Sequence, residues 1–496
     1  MPPTYTHPLP KDAYQTPMHR RQWISLFFDE ACQDPSNNEH TGPSSNSSAR
    51  SNTATATFSN IGKLYKAHPG GRAEGFYRFY YGGGSRGSGG KTPQEQTRAA
   101  HAAAGVDPYH ISHALYDLSQ SLATTETLTE RHLALFGSGR GAASAWRLAI
   151  ILAEQGIPNP RHPGQPFRAG QDFRIRFLGM FDTQTMGAID TQHSVHALLD
   201  PLPPFVESAL HLIAAHERRA AYHIQSLRLT ADTPLLPQHQ ERLCPGQHGD
   251  VTGSYARGEQ GRRNELARIP LNQMLTAAML QEVPLLSLPQ LNARDPALYA
   301  EWVIPQELAE LQLEYNRRLR PETDLYREWA HHECLYFRWL CLLANGSAGI
   351  PGTLQQRNAS PTGATGENAD QQQLEIARRV LCEEVISARW RRIYAEGGIP
   401  DFDPPDSVFC RKPISQLGPE ERPYRRLDAE ALVVKPLQGF ERDMLTWMQI
   451  AEPLPVSIQH FFTCYVHDEI AQTVGLGDRY LQRRSVFFRQ ARPWRG

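Results

Sequence analysis

The chain has 496 residues, enough for one large domain or two to three ordinary ones. Forty per cent of them are hydrophobic, which can fill a sizeable core, and 51 basic against 52 acidic residues leave a net charge of −1. That balance lacks the basic excess of a nucleic-acid binder. The seven cysteines are odd in number, widely spaced and without C-x-x-C. They form neither a disulfide framework nor a zinc pattern, and no metal or cofactor is expected. The polar, proline-rich stretch 1–19 has no signal-peptide core, and no apolar run approaches the ~20 residues of a membrane span. Export would therefore need a dedicated machine.

In chain order, Trp23–Phe28 is short, apolar and β-favouring and reads as a buried strand. A Ser/Asn/Thr-rich insertion follows at Asp34–Thr57. A helix opens at Asn60–Ala67, and a second, very aromatic strand at Gly75–Tyr81 runs into the glycine-rich Gly82–Gly90, a flexible loop or a phosphate cradle with Lys91. A helix is predicted over His110–Glu126, a strand over Leu133–Phe136, a helix over Ala142–Gln155 and a strand over Phe173–Phe181. The apolar spacing of Phe205–Tyr222 predicts a further helix. Strand and helix alternate to about residue 290, which argues for a mostly parallel sheet flanked by helices. Beyond that the pattern is helical over Pro305–Arg318, Glu322–Ala344 and Gln371–Ala395, interrupted by a low-complexity linker at 352–370. The predicted layout is a tail at 1–19, an α/β core at 20–290 and a mainly helical region at 291–496, acting as a cap or facing a membrane or partner. The arginine clusters at Arg317, Arg318 and Arg320 and at Arg389, Arg391 and Arg392 read as solvated helix faces. His331-His332-Glu333 lacks the H-E-x-x-H spacing of a metal site.

The chemistry-bearing pattern begins where the third strand meets Gly137-Ser138-Gly139-Arg140-Gly141-Ala142 and then a helix. In α/β hydrolases G-x-S-x-G occupies this strained strand-to-helix turn, and the helix N-terminus behind it favours developing negative charge. Gly137 and Gly141 supply both flanking glycines, but the nucleophile position is Gly139. Ser138 is one residue early, and a shift of register would put Phe136 and Arg140 at the glycine positions. The same residues fit a degenerate dinucleotide fingerprint, for which the nearest candidate acid, Glu154, lies inside a helix. Downstream, the apolar strand Phe177–Phe181 ends in Asp182, where active-site groups of α/β sheets gather. His248 follows in the glycine-rich stretch Pro245–Tyr255. Elbow, acid, histidine is the order of an α/β-hydrolase triad.

Together these segments resemble the catalytic domain of the type VI secretion phospholipase effectors, lipase family one. The family's G-F-S-R-G-A, W-D-T and G-V-H-S-D-V-G-G-G-Y read here as Gly137–Ala142, Phe181-Asp182-Thr183 and Gly246–Tyr255. His216-Glu217-Arg218-Arg219 is similar to its D-E-R-R, Tyr465-Val466-His467-Asp468 to its Y-V-H-D-S, and Tyr480–Phe488 to its Y-L-x-x-R-R-x-F-F. The resemblance implies an α/β-hydrolase fold and phospholipid ester hydrolysis, with Asp182 orienting His248 as general base and Asp250 supporting the base loop. It places Asp29, Glu30 and Arg140 around the oxyanion, and His467 and Asp468 at the cleft rim. It implies a phospholipid or membrane surface, an immunity protein and a secretion-spike protein as partners, with delivery to the target-cell periplasm.

Two departures set this chain apart. Gly139 replaces the serine, and Phe28-Asp29-Glu30-Ala31 replaces the family's F-x-D-G-T. A glutamate repels a developing oxyanion, whereas a pre-aimed N–H donor is worth roughly 3 kcal/mol. The sequence therefore supports an impaired or inactive effector-like protein. An esterase working through Ser138 and a pseudoenzyme that binds lipid or protein are the alternatives.

Overall fold

The computed structural model describes residues 21–30, 58–82, 108–123, 130–184, 201–219, 222–344, 443, 446–447, 450, 452–467 and 484–488. The expected tail, the insertion at 34–57, most of the glycine-rich loop, the linker, the helix at 371–395 and Asp468 lie outside these residues.

The strands are β1 (Arg21–Phe28), β2 (Phe76–Tyr81), β3 (Glu130–Ser138), β4 (Arg174–Phe181), β5 (Ala209–Ala214), β6 (Ile224–Gln225), β7 (His239–Cys244) and β8 (Val486–Phe487). Six of them form one sheet in the order β2-β1-β3-β4-β5-β7, and every pairing is parallel. β6 and β8 pair separately. The described helices are α1 (Asn60–Ala67), α2 (Pro108–Ala123), α3 (Arg140–Glu154), α4 (His248–Thr252), α5 (Arg268–Leu280), α6 (Leu288–Arg294), α7 (Pro296–Ala300), α8 (Gln306–Arg318), α9 (Leu325–Ala344) and α10 (Val456–Tyr465).

Parallel strands are buried on both faces, so their sequences run apolar rather than alternating with polar residues. The alternation instead divides the residues between two cores. Ile24, Leu26 and Phe28 of β1 and Leu133 and Leu135 of β3 pack with Leu118 of α2 and Trp146 of α3. Trp23, Phe27, Ala134 and Phe136 face the other way, onto Ile61 and Leu64 of α1 and Leu271 and Met274 of α5. The strand order reverses between β1 and β3, which opens a crevice at their C-terminal ends. Ligand sites of open α/β sheets form at such a point.

One predicted element is corrected. Phe205–Tyr222 is not a helix: Ala209–Ala214 is strand β5, with all six residues buried between β4 and β7. The run Ala-Leu-His-Leu-Ile-Ala has strong helix formers, but a central position in the sheet decides a short apolar segment that periodicity cannot. The polar-looking β7 escaped prediction for a related reason. As the edge strand in this order it alternates buried and exposed residues (His239, Glu241 and Leu243 buried; Gln240 and Arg242 exposed).

The helical region packs onto the end of β5. Trp329 Nε1 donates to Ala215 O at 2.7 Å. The Arg218 guanidinium donates to Glu333 Oε1 at 3.1 Å, with both side chains buried. Removing one partner of a buried ion pair strands the other charge. Glu333→Ala should therefore lower unfolding stability by about 3 kcal/mol, measured by chemical denaturation.

Candidate functional site: a carboxylate at the nucleophile turn

Gly139 is the N-cap of α3, with φ 51° and ψ −117°. This is a left-handed conformation that side-chain-bearing residues adopt only under strain. Its flanking glycines are sterically fixed. A Cβ on Gly137 would lie 2.4 Å from Ala142 Cα, and one on Gly141 would lie 2.2 Å from Phe28 O. The chain passes from β3 into α3 through a turn too tight for side chains at either flank, the geometry of a nucleophile elbow.

The space beside Gly139 is filled. A Cβ built on this residue would lie 2.0 Å from Glu30 Oε2 and 2.6 Å from Glu30 Cδ. Glu30 follows the C-terminal end of β1 and is aimed by its neighbour. Asp29 is buried, accepts hydrogen bonds from Tyr80 Oη at 2.7 Å and Ser138 Oγ at 3.0 Å, and accepts another from Ser59 Oγ. Ser138 is thus fully buried, and its hydroxyl serves the loop that carries Glu30.

His248 lies between two carboxylates. Its Nδ1 is 2.7 Å from Asp182 Oδ2, and its Nε2 is hydrogen-bonded to Glu30 Oε1. The histidine is buried, the first residue of α4, rather than exposed in a loop. Its backbone N–H donates to Glu217 Oε2 at 3.2 Å. Asp182, at φ 47°, is fully buried and accepts from Ala214 N at 2.8 Å. The Arg484 guanidinium clamps it from the C-terminal segment, with Nη1 2.9 Å from Oδ2 and Nη2 2.5 Å from Oδ1.

Burial opposes charge on every member of this line, and the partners override it. Asp182 is held well below the usual carboxylate range by Arg484 and then His248, against desolvation. Desolvation would lower His248, but the Glu30 charge and the bonds to Asp182 and Glu30 raise it to about 10. Desolvation would raise Glu30, but His248 and then Arg140 lower it. At neutral pH the line is carboxylate, imidazolium, carboxylate.

Asp250 does not touch this line. Its Oδ2 accepts from Gln247 N at 2.9 Å, capping α4, and from His467 N at 3.0 Å, while Oδ1 lies 2.6 Å from His467 Nδ1. His467 is fully buried and stacks on Tyr255 at 3.9 Å between ring centroids, so it sits in the support of α4 and not at a cleft rim. Arg140 borders a cavity of about 260 Å³ together with Glu30, Arg219, Tyr222, His248 and Tyr255. Arg219 is committed to Glu217 through Nε at 2.9 Å and Nη2 at 2.8 Å. Sequence reasoning brought Asp182, His248 and the elbow together, but missed Arg484 and Glu217. Both lie in segments, Tyr480–Phe488 and His216–Arg219, where the family pattern already signalled them.

The chain thus has an α/β fold, with a strand-turn-helix elbow at the sheet's switch point that faces a histidine backed by an aspartate. Residues 162–277, which include Asp182 and His248, match the family of type VI secretion phospholipase effectors, Tle1-like, catalytic domain. In fold the chain is similar to an uncharacterized protein from Pseudomonas aeruginosa, at 16% identity and a TM-score of 0.58, over 94% of this chain and 79% of that one. A match to the Tle1 effector bound to the VgrG spike of the type 6 secretion system has 16% identity and a TM-score of 0.40, over 63% of this chain and 83% of that one. No curated protein sequence matches the chain.

The raised pKa of His248 carries a stability consequence. The contribution of its charge is fully present below the unfolded value of 6.5 and is lost as pH rises through about 10. Wild-type melting temperature should therefore fall across that alkaline window. Glu30→Gln removes the largest influence holding the proton, so its loss should begin and end at lower pH, with the imidazole titration followed by NMR.

Proposed function

We propose that this protein is a relative of the type VI secretion phospholipase effectors whose serine esterase chemistry has been lost. One observation carries the reading: Gly139 offers no attacking atom, and the Glu30 carboxylate fills the space into which a side chain at 139 would project. A serine hydrolase needs its histidine to take a proton from a hydroxyl. Here His248 Nε2 is bonded to a carboxylate that has none to give. In a worked serine-protease case, removing the serine alone costs about a million-fold in turnover.

The family match over residues 162–277 supports the effector lineage. On that lineage the expected surroundings are a phospholipid or membrane surface, a secretion-spike protein and an immunity protein, with export to the target-cell periplasm. Among the described residues no helix is long and apolar enough to cross a membrane. The scaffold then engages a lipid or a partner protein without cleaving a carboxylic ester. Ser138 lends no support to a shifted nucleophile, because its buried hydroxyl donates to Asp29.

Purified protein should release no more acid from short-chain esters or mixed phospholipids than His248→Ala, and it should not react with a fluorophosphonate. Gly139→Ser alone should stay unlabelled and lose about 1–3 kcal/mol of stability, since its Cβ meets Glu30. Gly139→Ser combined with Glu30→Gly should accept the label at residue 139. Labelling or esterase activity in the unmodified protein would defeat this reading.

A further inference from the structure

The turn at Gly139 carries a carboxylate beside it. Four observations converge on Glu30. Its Oε2 lies 2.0 Å from the point where a residue-139 Cβ would stand. Its Oε1 bonds the one His248 nitrogen that Asp182 does not hold. Its side chain is 18% exposed, in a site whose other charged members are almost sealed, and borders the 260 Å³ cavity. Its position is fixed from behind by the hydroxyl network on Asp29. A carboxylate can itself act as a nucleophile and form a covalent ester, splitting one hard step into two easier ones.

We propose that Glu30 is the attacking group of a carboxylate–histidine–aspartate hydrolase that opens small neutral epoxides to diols. In the first step a Glu30 oxygen bonds to a ring carbon and the carbon–oxygen bond of the ring breaks. The ring oxygen takes that electron pair and receives the Nε2 proton of imidazolium His248. The products are a hydroxyalkyl ester on Glu30 and a neutral His248. In the second step His248 removes a proton from water, and the resulting hydroxide adds to Cδ of the Glu30 ester. The bond from Cδ to the alkyl oxygen then breaks, and that oxygen takes its electron pair and the proton of the hydroxyl just added to Cδ, which releases the diol and leaves the carboxylate and the imidazolium. Protons balance over the cycle: one epoxide and one water give one diol.

The electrostatics favour this sequence of roles. His248 rests protonated because of the Glu30 charge, so it begins as an acid. Esterification erases that charge, its largest stabiliser, and so frees the same imidazole to act as a base. An epoxide suits this resting state because its ring oxygen needs a proton on opening. The cavity of about 260 Å³ beside Glu30 has room for a small molecule such as an epoxide.

The test uses the full-length protein with styrene oxide in oxygen-18 water. Single turnover should give an unlabelled diol and place oxygen-18 on the Glu30 peptide, read by mass spectrometry. His248→Gln, which lacks both the proton donor of the first step and the base of the second, should slow adduct formation and should slow diol release by at least about 100-fold. Glu30→Gln, with folding checked by thermal melt, should form neither adduct nor diol. Label in the first-turnover diol, an adduct on another residue, diol formation by Glu30→Gln, or no diol and no adduct in wild type would each overturn the proposal. Esterase or fluorophosphonate results speak only to the loss of serine chemistry, so the two readings fail separately.

Discussion

The hydrogen bond between Glu30 and His248 governs the rest of the site. It ends a line of buried groups that runs Arg484, Asp182, His248, Glu30. Two cations and two carboxylates sum to zero, which is how a fold can keep four ionised groups at so little exposure. An uncompensated carboxylate at the end of that line would protonate rather than stay charged. Glu30 is therefore more than a blocked oxyanion position. It supplies the charge that completes the row.

The two departures from the family pattern are one structural change. Glycine at 139 and glutamate at 30 look independent in sequence, and each looks damaging. In space they are complementary, because the carboxylate stands where a Cβ at 139 would be. A serine at 139 would require the Glu30 carboxylate to move and its bond to His248 to be given up, and a glycine at 30 would leave a hole beside Gly139 and remove the acceptor of His248 Nε2. Glu30 places a well-held acidic group in the volume beside Gly139, next to the bonded pair Asp29 and Ser138.

Much of this was legible in the chain. The apolar strands β1, β3 and β4 and the helix α3 were visible because burial on both faces leaves continuous apolar runs and helical spacing leaves its own period. The elbow was visible because tight backbone passage demands Gly137 and Gly141. The order of Gly139, Asp182 and His248 followed from topology, since each ends a strand or follows one at the same edge of the sheet. What stayed hidden depends on distance in space. β5 read as a helix because a six-residue apolar run carries no decisive period. The burial of His248 was hidden because its helix is only five residues long and is capped by Asp250, whose bond to His467 comes from far along the chain. Glu30 was read as a repulsive neighbour of an oxyanion because sequence places it near the turn without saying which volume it fills.

The same distance effect explains why the C-terminal residues matter to the chemistry. Three of the segments that follow the strands at the site are each held by a group from beyond residue 330. Arg484 fixes Asp182 after β4, Glu333 holds Arg218 in the loop after β5, and His467 holds Asp250 in α4. A sheet alone positions the first atoms of these loops, but their tips leave the hydrogen-bonded ladder and need other partners. The aspartate illustrates the consequence. With φ 47° it occupies a backbone region that costs of order 1–3 kcal/mol, so it persists only where surrounding contacts over-determine it. The ladder supplies one such contact through Asp182 N to Leu212 O at 2.7 Å, and Arg484 supplies two more through the carboxylate. The carboxylate–imidazole line thus belongs jointly to the α/β core and to the C-terminal segments that close over it.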